Sequence, residues 1–271
     1  YRSTGFQVTT QGQNNDRLTN LLSGTRAISW PDSNSAYAYL SFFFRGEYNY
    51  KELYYAEVAA RTDASSRFGK DHRWGMFWSL GFMWNIKNEA FLKEIEWLTN
   101  AQIKLSTGTS GNSEIPYYDH LALVAGDANY NDEAGIYPKQ SGNEELSWEQ
   151  TWANNIGLTL GFFNRVNLNV DFYHKKTTNM LMLVPQSYAI TGVGNRWDNI
   201  GAMMNRGVEI AMDGDVIRTK YFTWNLSANV SYNKNKLLEL YNGVEEYVNS
   251  TTGLKYVVGH PVHEYYMNRY A

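Results

Sequence analysis

Cysteine is absent from the 271 residues, which excludes a disulfide framework, a thiolate metal site and a cysteine nucleophile. Proline is scarce, with 5 residues. No apolar run approaches the roughly 18–20 residues of a membrane-spanning helix, so a helical membrane protein is excluded. Neither sign of charge dominates: 24 Lys and Arg stand against 27 Asp and Glu, for a formal net charge of -3. There is thus no basic surplus to suggest nucleic acid and no acidic tail. The opening YRSTGFQVTT lacks the basic start and apolar core of a signal peptide. A polar mean hydropathy of -0.49 still leaves room for a membrane β-barrel, whose strands only alternate.

What the chain has in quantity is aromatic side chains and glycine. With 21 Tyr, 12 Phe and 9 Trp beside 22 Gly, many strands are favoured over many helices. The stretch WGMFWSLGFMWNI, from Trp74 to Ile86, shows the form they take. Trp74, Met76, Trp78, Leu80, Phe82, Trp84 and Ile86 share one parity, and Gly75, Phe77, Ser79, Gly81, Met83 and Asn85 the other. Successive strand side chains point to opposite faces, so this ribbon has one wholly apolar face and one mixed face.

The pattern recurs along the chain. Ala38, Leu40, Phe42 and Phe44 form an apolar row, as do Tyr54, Ala56, Val58 and Ala60 against Tyr55, Glu57, Ala59 and Arg61. Ala101, Ile103 and Leu105 oppose Gln102, Lys104 and Ser106. Trp152, Ile156, Leu158, Leu160 and Phe162 oppose Thr151, Asn155, Gly157 and Thr159, with Asn154 as a polar blemish in the apolar row. Val166, Leu168, Val170 and Phe172 oppose Asn167, Asn169 and Asp171; Val208, Ile210 and Met212 oppose Glu209 and Asp213. Finally, Phe222, Trp224, Leu226, Ala228, Val230 and Tyr232 oppose Thr223, Asn225, Ser227, Asn229, Ser231 and Asn233.

One such strand is half of an ordinary sandwich. Eight in a row, with a rhythm in their connections, point elsewhere. The expected connections are short at 45–52, long at 62–73, medium at 87–99, very long at 108–149, short at 162–165, long at 175–206 and short at 214–220. A membrane barrel has short turns on its periplasmic rim and long loops outside. Thirteen residues from Trp74 to Ile86, tilted by roughly 40°, span on the order of 33 Å, enough for an apolar band of about 25 Å. Trp74 and Trp84 then read as border residues, and Trp78, Leu80, Phe82, Leu158 and Leu226 as hydrocarbon contacts. Glu57, Arg61, Gln102, Lys104, Asn155, Asn167, Asn169, Asp171, Glu209, Asn225 and Asn229 read as the wall of a hydrated lumen.

Several segments also carry a family resemblance: RTDASSRFGKDHRWG, NEAFLKEIEWLTNAQIKLSTGTSGN, EELSWEQTWANNIGLTLGFFNRVNLNVDFYHKKTTNML, NIGAMMNRGVEI and FTWNLSANVSYNKNKLLEL. In this order they resemble the barrel of SusC/RagA-family TonB-dependent outer-membrane transporters. The resemblance implies an all-β, antiparallel segment of a 22-stranded transmembrane barrel, so residues 1–271 are expected to belong to the barrel domain. It further implies a bacterial outer-membrane location, contact with outer-membrane lipid, import of oligosaccharides or peptides, coupling to TonB, and a SusD-like surface lipoprotein over the long connections. A plug and TonB box are not recognisable, and the family continues with further strands beyond VGHPVHEYYMNRYA. The expectation is a piece of a longer chain that does not form a pore alone, since its open edges leave backbone groups unpaired at lipid depth.

The smaller motifs carry little chemistry. HPVHE at 260–264 offers His260, His263 and Glu264, but no third His or Cys cluster accompanies them and Pro261 argues against a helix. Asp63, Asp71 and His72 flank SSRFGK without the fixed separation an acid–base pair needs. GVGN at 192–195 is a turn lacking the strand and Lys of a nucleotide loop. Of the sequons at Asn225, Asn229 and Asn249, two fall on the inner face of a strand. No enzyme, metal or cofactor is expected. The competing class is a soluble carbohydrate-binding β-protein with sugar-stacking aromatics; a barrel differs from it in needing detergent to stay dispersed.

Overall fold

The computed structural model describes residues 1–11, 26–29, 32–130, 133–248, 253–262 and 264. Its centre is one antiparallel sheet of eight strands in unbroken chain order. They are β1 (Tyr39–Tyr50), β2 (Tyr54–Ser65), β3 (Trp74–Asn85), β4 (Leu98–Asn112), β5 (Glu149–Phe162), β6 (Val166–Thr178), β7 (Ala202–Arg218) and β8 (Thr223–Glu239). β1 and β8 do not pair with each other, so the sheet is open within this chain.

Register carries the two-faced pattern across the whole sheet. Val58 lies opposite Leu80, Phe82 opposite Leu105, Ile103 opposite Leu158, Val170 opposite Ile210, and Ile210 opposite Val230. Matched apolar pairs therefore form continuous rows on one face. These rows are uncovered: Leu80, Leu226 and Val230 are 48%, 50% and 62% exposed. Asn154 belongs to this face as expected, and it is not an orphan. The Thr107 hydroxyl donates to Asn154 Oδ1 (2.8 Å), and Trp152 Nε1 donates to that hydroxyl (2.9 Å).

The strands are longer than their apolar rows suggest. GEYNY, expected in a connection, continues β1, with Tyr48 opposite Ala56 and Tyr50 opposite Tyr54. The turn is Lys51–Glu52, both at positive φ (54° and 58°), closed by Leu53 N donating to Tyr50 O (3.0 Å). Phe163 and Asn164 repeat this geometry between β5 and β6. It is the type I′ hairpin turn, whose twist matches that of the strands it joins. At the same rim, residues 86–97 fold into a 3₁₀ turn (Ile86–Asn88) and a short helix (Ala90–Lys93), held by Lys87 Nζ donating to the carbonyls of Leu92, Lys93 and Ile95.

The other rim carries the long connections, shortened to 66–73, 113–148 and 179–201 by the strands that run into them. The second holds a hairpin of Leu123–Tyr130 and Glu133–Gln140. The third holds a hairpin of Leu181–Pro185 and Asn195–Asn199. Small two-stranded ladders precede β1 and follow β8. The alternation of short and long connections thus survives, with new boundaries.

Lys51 and Glu52 occupy a backbone conformation that suits glycine. Glu52→Gly is expected to stabilise the full-length protein by about 0.5–1 kcal/mol, read as a raised urea midpoint at unchanged slope. An unchanged midpoint would show that the turn stores no strain.

Candidate functional site

The sheet's second face is polar and internally bonded. Glu57 pairs with Arg45 (3.1 Å), which also pairs with Glu47 (2.5 Å). Arg61 Nε pairs with the buried Asp63 (2.6 Å). Lys104 Nζ donates to Thr159 (3.3 Å), Thr159 to Asn169 (2.9 Å), Asn155 to Ser106 (3.1 Å), Asn167 to Asp213 (2.9 Å) and Asn225 to Asp215 (3.3 Å). Gln102 lies opposite Asn85 and Thr159, Asp171 opposite Glu209, and Asn229 opposite Ala211. All eleven residues assigned to this face by parity therefore share it. Asp171 and Glu209 stand as like charges side by side, an arrangement that favours a nearby cation or solvent.

At the long-connection end, this face bears a small apolar core that parity alone does not reveal. Phe77 has polar-face parity yet is buried with Phe68, Ile115, Leu146 and Trp148, and Leu181 and Trp197 pack on the outside. Three connections and one strand thus meet at a single cluster. Glycine makes room for it: a Cβ on Gly111 would stand 2.1 Å from the Phe77 ring, and one on Gly75 2.6 Å. Trp148 Nε1 donates to Arg73 O (2.8 Å), Arg67 Nη1 to Ser113 O (3.0 Å), and the Tyr39 hydroxyl shares a hydrogen bond with Ser113. Arg67 also lies over the rings of Tyr37 and Tyr117, at 5.2 and 5.0 Å. The second and third long connections are tied by Ser147 N donating to Asn199 Oδ1 (2.7 Å) and Asn199 Nδ2 to Ser147 O (2.8 Å).

Beside this cluster lies a hollow of about 400 Å³ on the polar face, lined among others by Tyr39, Arg61, Asp63, Ser79 and Trp148. Aromatic rings, one guanidinium and one carboxylate in a single recess suit a polar, flexible ligand by stacking and hydrogen bonding.

The model of the TonB dependent receptor-like β-barrel family matches residues 1–265. The chain belongs to that family. TonB-dependent receptor P39 of Formosa agariphila is 37% identical over 207 residues, 76% of this chain and 20% of the relative. TonB-dependent receptor SusC of Bacteroides thetaiotaomicron is 35% identical over 216 residues, 75% of this chain and 21% of the relative. Among solved structures, the RagAB peptide importer in its closed-closed state superposes with a TM-score of 0.89 at 36% identity. That match covers 96% of this chain and 29% of the solved one. The chain therefore spans about a fifth of the curated relatives it matches, and it is a SusC- and RagA-like segment of a TonB-dependent receptor β-barrel.

The remaining motifs fall into place as structural features of this receptor segment. Asp63 is the partner of Arg61 inside β2, and His72 pairs with Glu145 (2.9 Å). His260 pairs with Glu264 (2.8 Å), while His263 and the Asn249 sequon lie outside the described residues. Among the described residues no three His, Cys, Asp or Glu side chains gather as a metal site. Gly192 caps the helix Tyr188–Thr191 at positive φ (73°), which is the structural use of GVGN.

His120, in the 113–148 connection, is buried, and its Nδ1 has no partner. Burial pushes its imidazole below the ordinary 6.5; a hydrogen bond with the Arg67 backbone opposes this, and the Arg73 guanidinium adds to it. The opened connection thus binds a proton more readily than the packed one. The packed form is favoured above the ordinary value and loses ground as pH falls below it. Amide exchange in residues 113–122, corrected for its intrinsic rate, should be faster at pH 5.5 than at 7.5, and His120→Gln should remove the difference; pH-independent protection would overturn this. Gly111→Val should displace Phe77 and raise exchange around Ile115 and Leu146 at both pH values.

Proposed function

We propose that this chain is wall of an outer-membrane barrel that imports glycans or peptides, with TonB acting through parts of the receptor outside residues 1–271. The observation that carries the proposal is the continuous, uncovered apolar face opposite a hydrogen-bonded polar one. In water such a face would be an aggregation surface, which counts against the soluble carbohydrate-binding reading; in a bilayer it is the required exterior.

On this proposal Trp78, Leu80, Phe82, Leu158 and Leu226 meet hydrocarbon, and Trp74 and Trp84 mark the borders. Trp84 supports its role by stacking on Tyr54 (6.2 Å), while both rings donate to the Glu89 carboxylate (3.0 and 2.7 Å), an apolar body with a wet polar end. Glu57, Arg61, Gln102, Lys104, Asn155, Asn167, Asn169, Asp171, Glu209, Asn225 and Asn229 face the lumen. The likeness to a solved peptide importer supports an oligomeric polar cargo, and the hollow at Arg61, Asp63 and Trp148 is its contact on this stretch of wall. The receptor supplies no hydrolysis of its own; energy arrives from the inner membrane through TonB.

A SusD-like lipoprotein is the proposed partner over the long connections. Val124, Ile136, Tyr188 and Ile190 stand exposed on the two hairpins there, Ile190 by 84%, and so offer apolar contacts beyond the loop core.

Arg in place of Leu80 or Leu226 should impair assembly of the complete receptor, at about 2–4 kcal/mol near the midplane, while Arg at Ser79 or Asn225 should be tolerated. Heat-modifiable migration reads the outcome, and equal damage at both parities sinks the assignment. Exchanging residues 123–140 for a short polar turn, which keeps Ile115, Leu146 and Trp148, should reduce recovery of the lipoprotein in a detergent pull-down. Full recovery counts against that hairpin. Cargo uptake that persists after collapse of the proton gradient counts against TonB coupling.

A further inference from the structure

The apolar face does not end in neutral side chains on the long-connection side of β6, β7 and β8. Phe172, Val208 and Tyr232 stand opposite one another in register, and the next residues of the same parity are His174, Arg206 and Lys234, again opposite one another. The basic row spans two strand spacings, roughly 10 Å, within reach of a single group by flexible Arg and Lys side chains. All three are exposed. Among the described residues their side chains make no hydrogen bond or ion pair. The carboxylates of β6 and β7 cannot neutralise them, because Asp171, Glu209, Asp213 and Asp215 all belong to the polar face. Two cations, Arg206 and Lys234, beside an imidazole on an apolar exterior and without a counter-charge, need an external anion or a wet headgroup layer.

The surface there is concave. A groove of about 590 Å³ runs between Ile156, Phe172, Val208 and Tyr232 on its apolar side and His174, Arg206 and Lys234 on its basic side. Its chemistry matches an amphiphile with a hydrocarbon part in the apolar half and a compact anion in the basic half. Arg and Lys together favour a phosphate, which a guanidinium binds by paired hydrogen bonds and an ammonium as a point charge.

We infer that His174, Arg206 and Lys234 form a binding site for the phosphate of an acylated glycolipid in the outer leaflet. The inference rests on the membrane orientation proposed above, which puts the long connections outside. Its occupant follows from charge complementarity together with the apolar rows that continue directly from the site. A free phosphate would leave those rows unused, and an acidic protein would need no hydrocarbon.

The test uses the full-length receptor in mild detergent, with monophosphoryl lipid A and the same lipid stripped of its phosphate as probes. Native mass spectrometry should show retention of the phosphorylated form, and thermal unfolding should shift upward with it. Arg206→Gln/Lys234→Gln should weaken retention about thirtyfold, the size expected for two cationic contacts to an anionic headgroup. Lys175→Gln, which alters a lysine of the other face lying over Tyr173, should leave retention unchanged. Equal retention of the two lipids, an unaffected double variant, or an equal thermal shift from inorganic phosphate overturns the site, as does co-purification of an acidic protein lost in the double variant. Should the double variant fail to assemble, the comparison of the two lipids on the parent receptor decides. That comparison fails separately from the Leu80 and Ser79 pair, which tests whether this face meets lipid at all.

Discussion

Shared register is the constraint on which the rest of this structure depends. Side chains alternate with a period of two, so a slip of one residue in any strand would carry its whole apolar row to the polar face. The eight-stranded sheet shows no shift in its interior ladders. Irregularities fall at strand ends, between Gly161 and Phe162, Ala202 and Met203, and Asp215 and Ile217. The two faces, the hydrogen-bonded polar wall and the basic row beyond the apolar band all follow from that one alignment.

The ladder between β3 and β4 stops at Ser79–Gly108, well before the long-connection end of either strand. Beyond it, Trp78 N donates to the Thr109 side chain (3.2 Å) instead of a backbone carbonyl. The wall splays here, and the splay is where Phe77, Trp148 and the buried cluster sit. Connections that fold down onto the polar face therefore replace backbone pairing with side-chain packing at the one place where pairing lapses. The exchange is consistent with the scarcity of space around Phe77, which Gly75 and Gly111 relieve.

The sequence made parity legible, and it did not make strand length legible. Apolar alternation marks only the part of a strand that has something apolar to face, whereas the hydrogen-bond ladder continues as long as backbone can pair. Gly108–Asn112 lacks apolar residues on both faces and looks like loop, yet it pairs residue by residue with Glu149–Ala153. GEYNY was obscured by Gly46 and Arg45, which interrupt the apolar run without interrupting the strand. The site was less legible still. Phe77 and Trp148 lie 71 residues apart, in a strand and in a loop, and nothing in periodicity joins them. The available signal was spacing of another kind: a large aromatic on the small-residue parity of β3, next to Gly75, implies a cover that comes from elsewhere.

That cover also constrains how the sheet can move. Phe68, Ile115, Leu146 and Trp148 anchor two long connections to β3, and Asn199 ties the third to Ser147. Moving any one of them alone would open a dry cluster and strand several buried hydrogen bonds, a cost of several kcal/mol. Farther out on the hairpins, Ile136 and Ile190 lie outside that cluster and are 78% and 84% exposed. The bases of the connections are thereby tied to the sheet and would travel with it. A sheet whose backbone is satisfied by its neighbours resists bending for the same reason, so on the proposed import function the displacement that admits cargo would fall to parts other than this sheet, with the segment formed by this chain as a fixed frame.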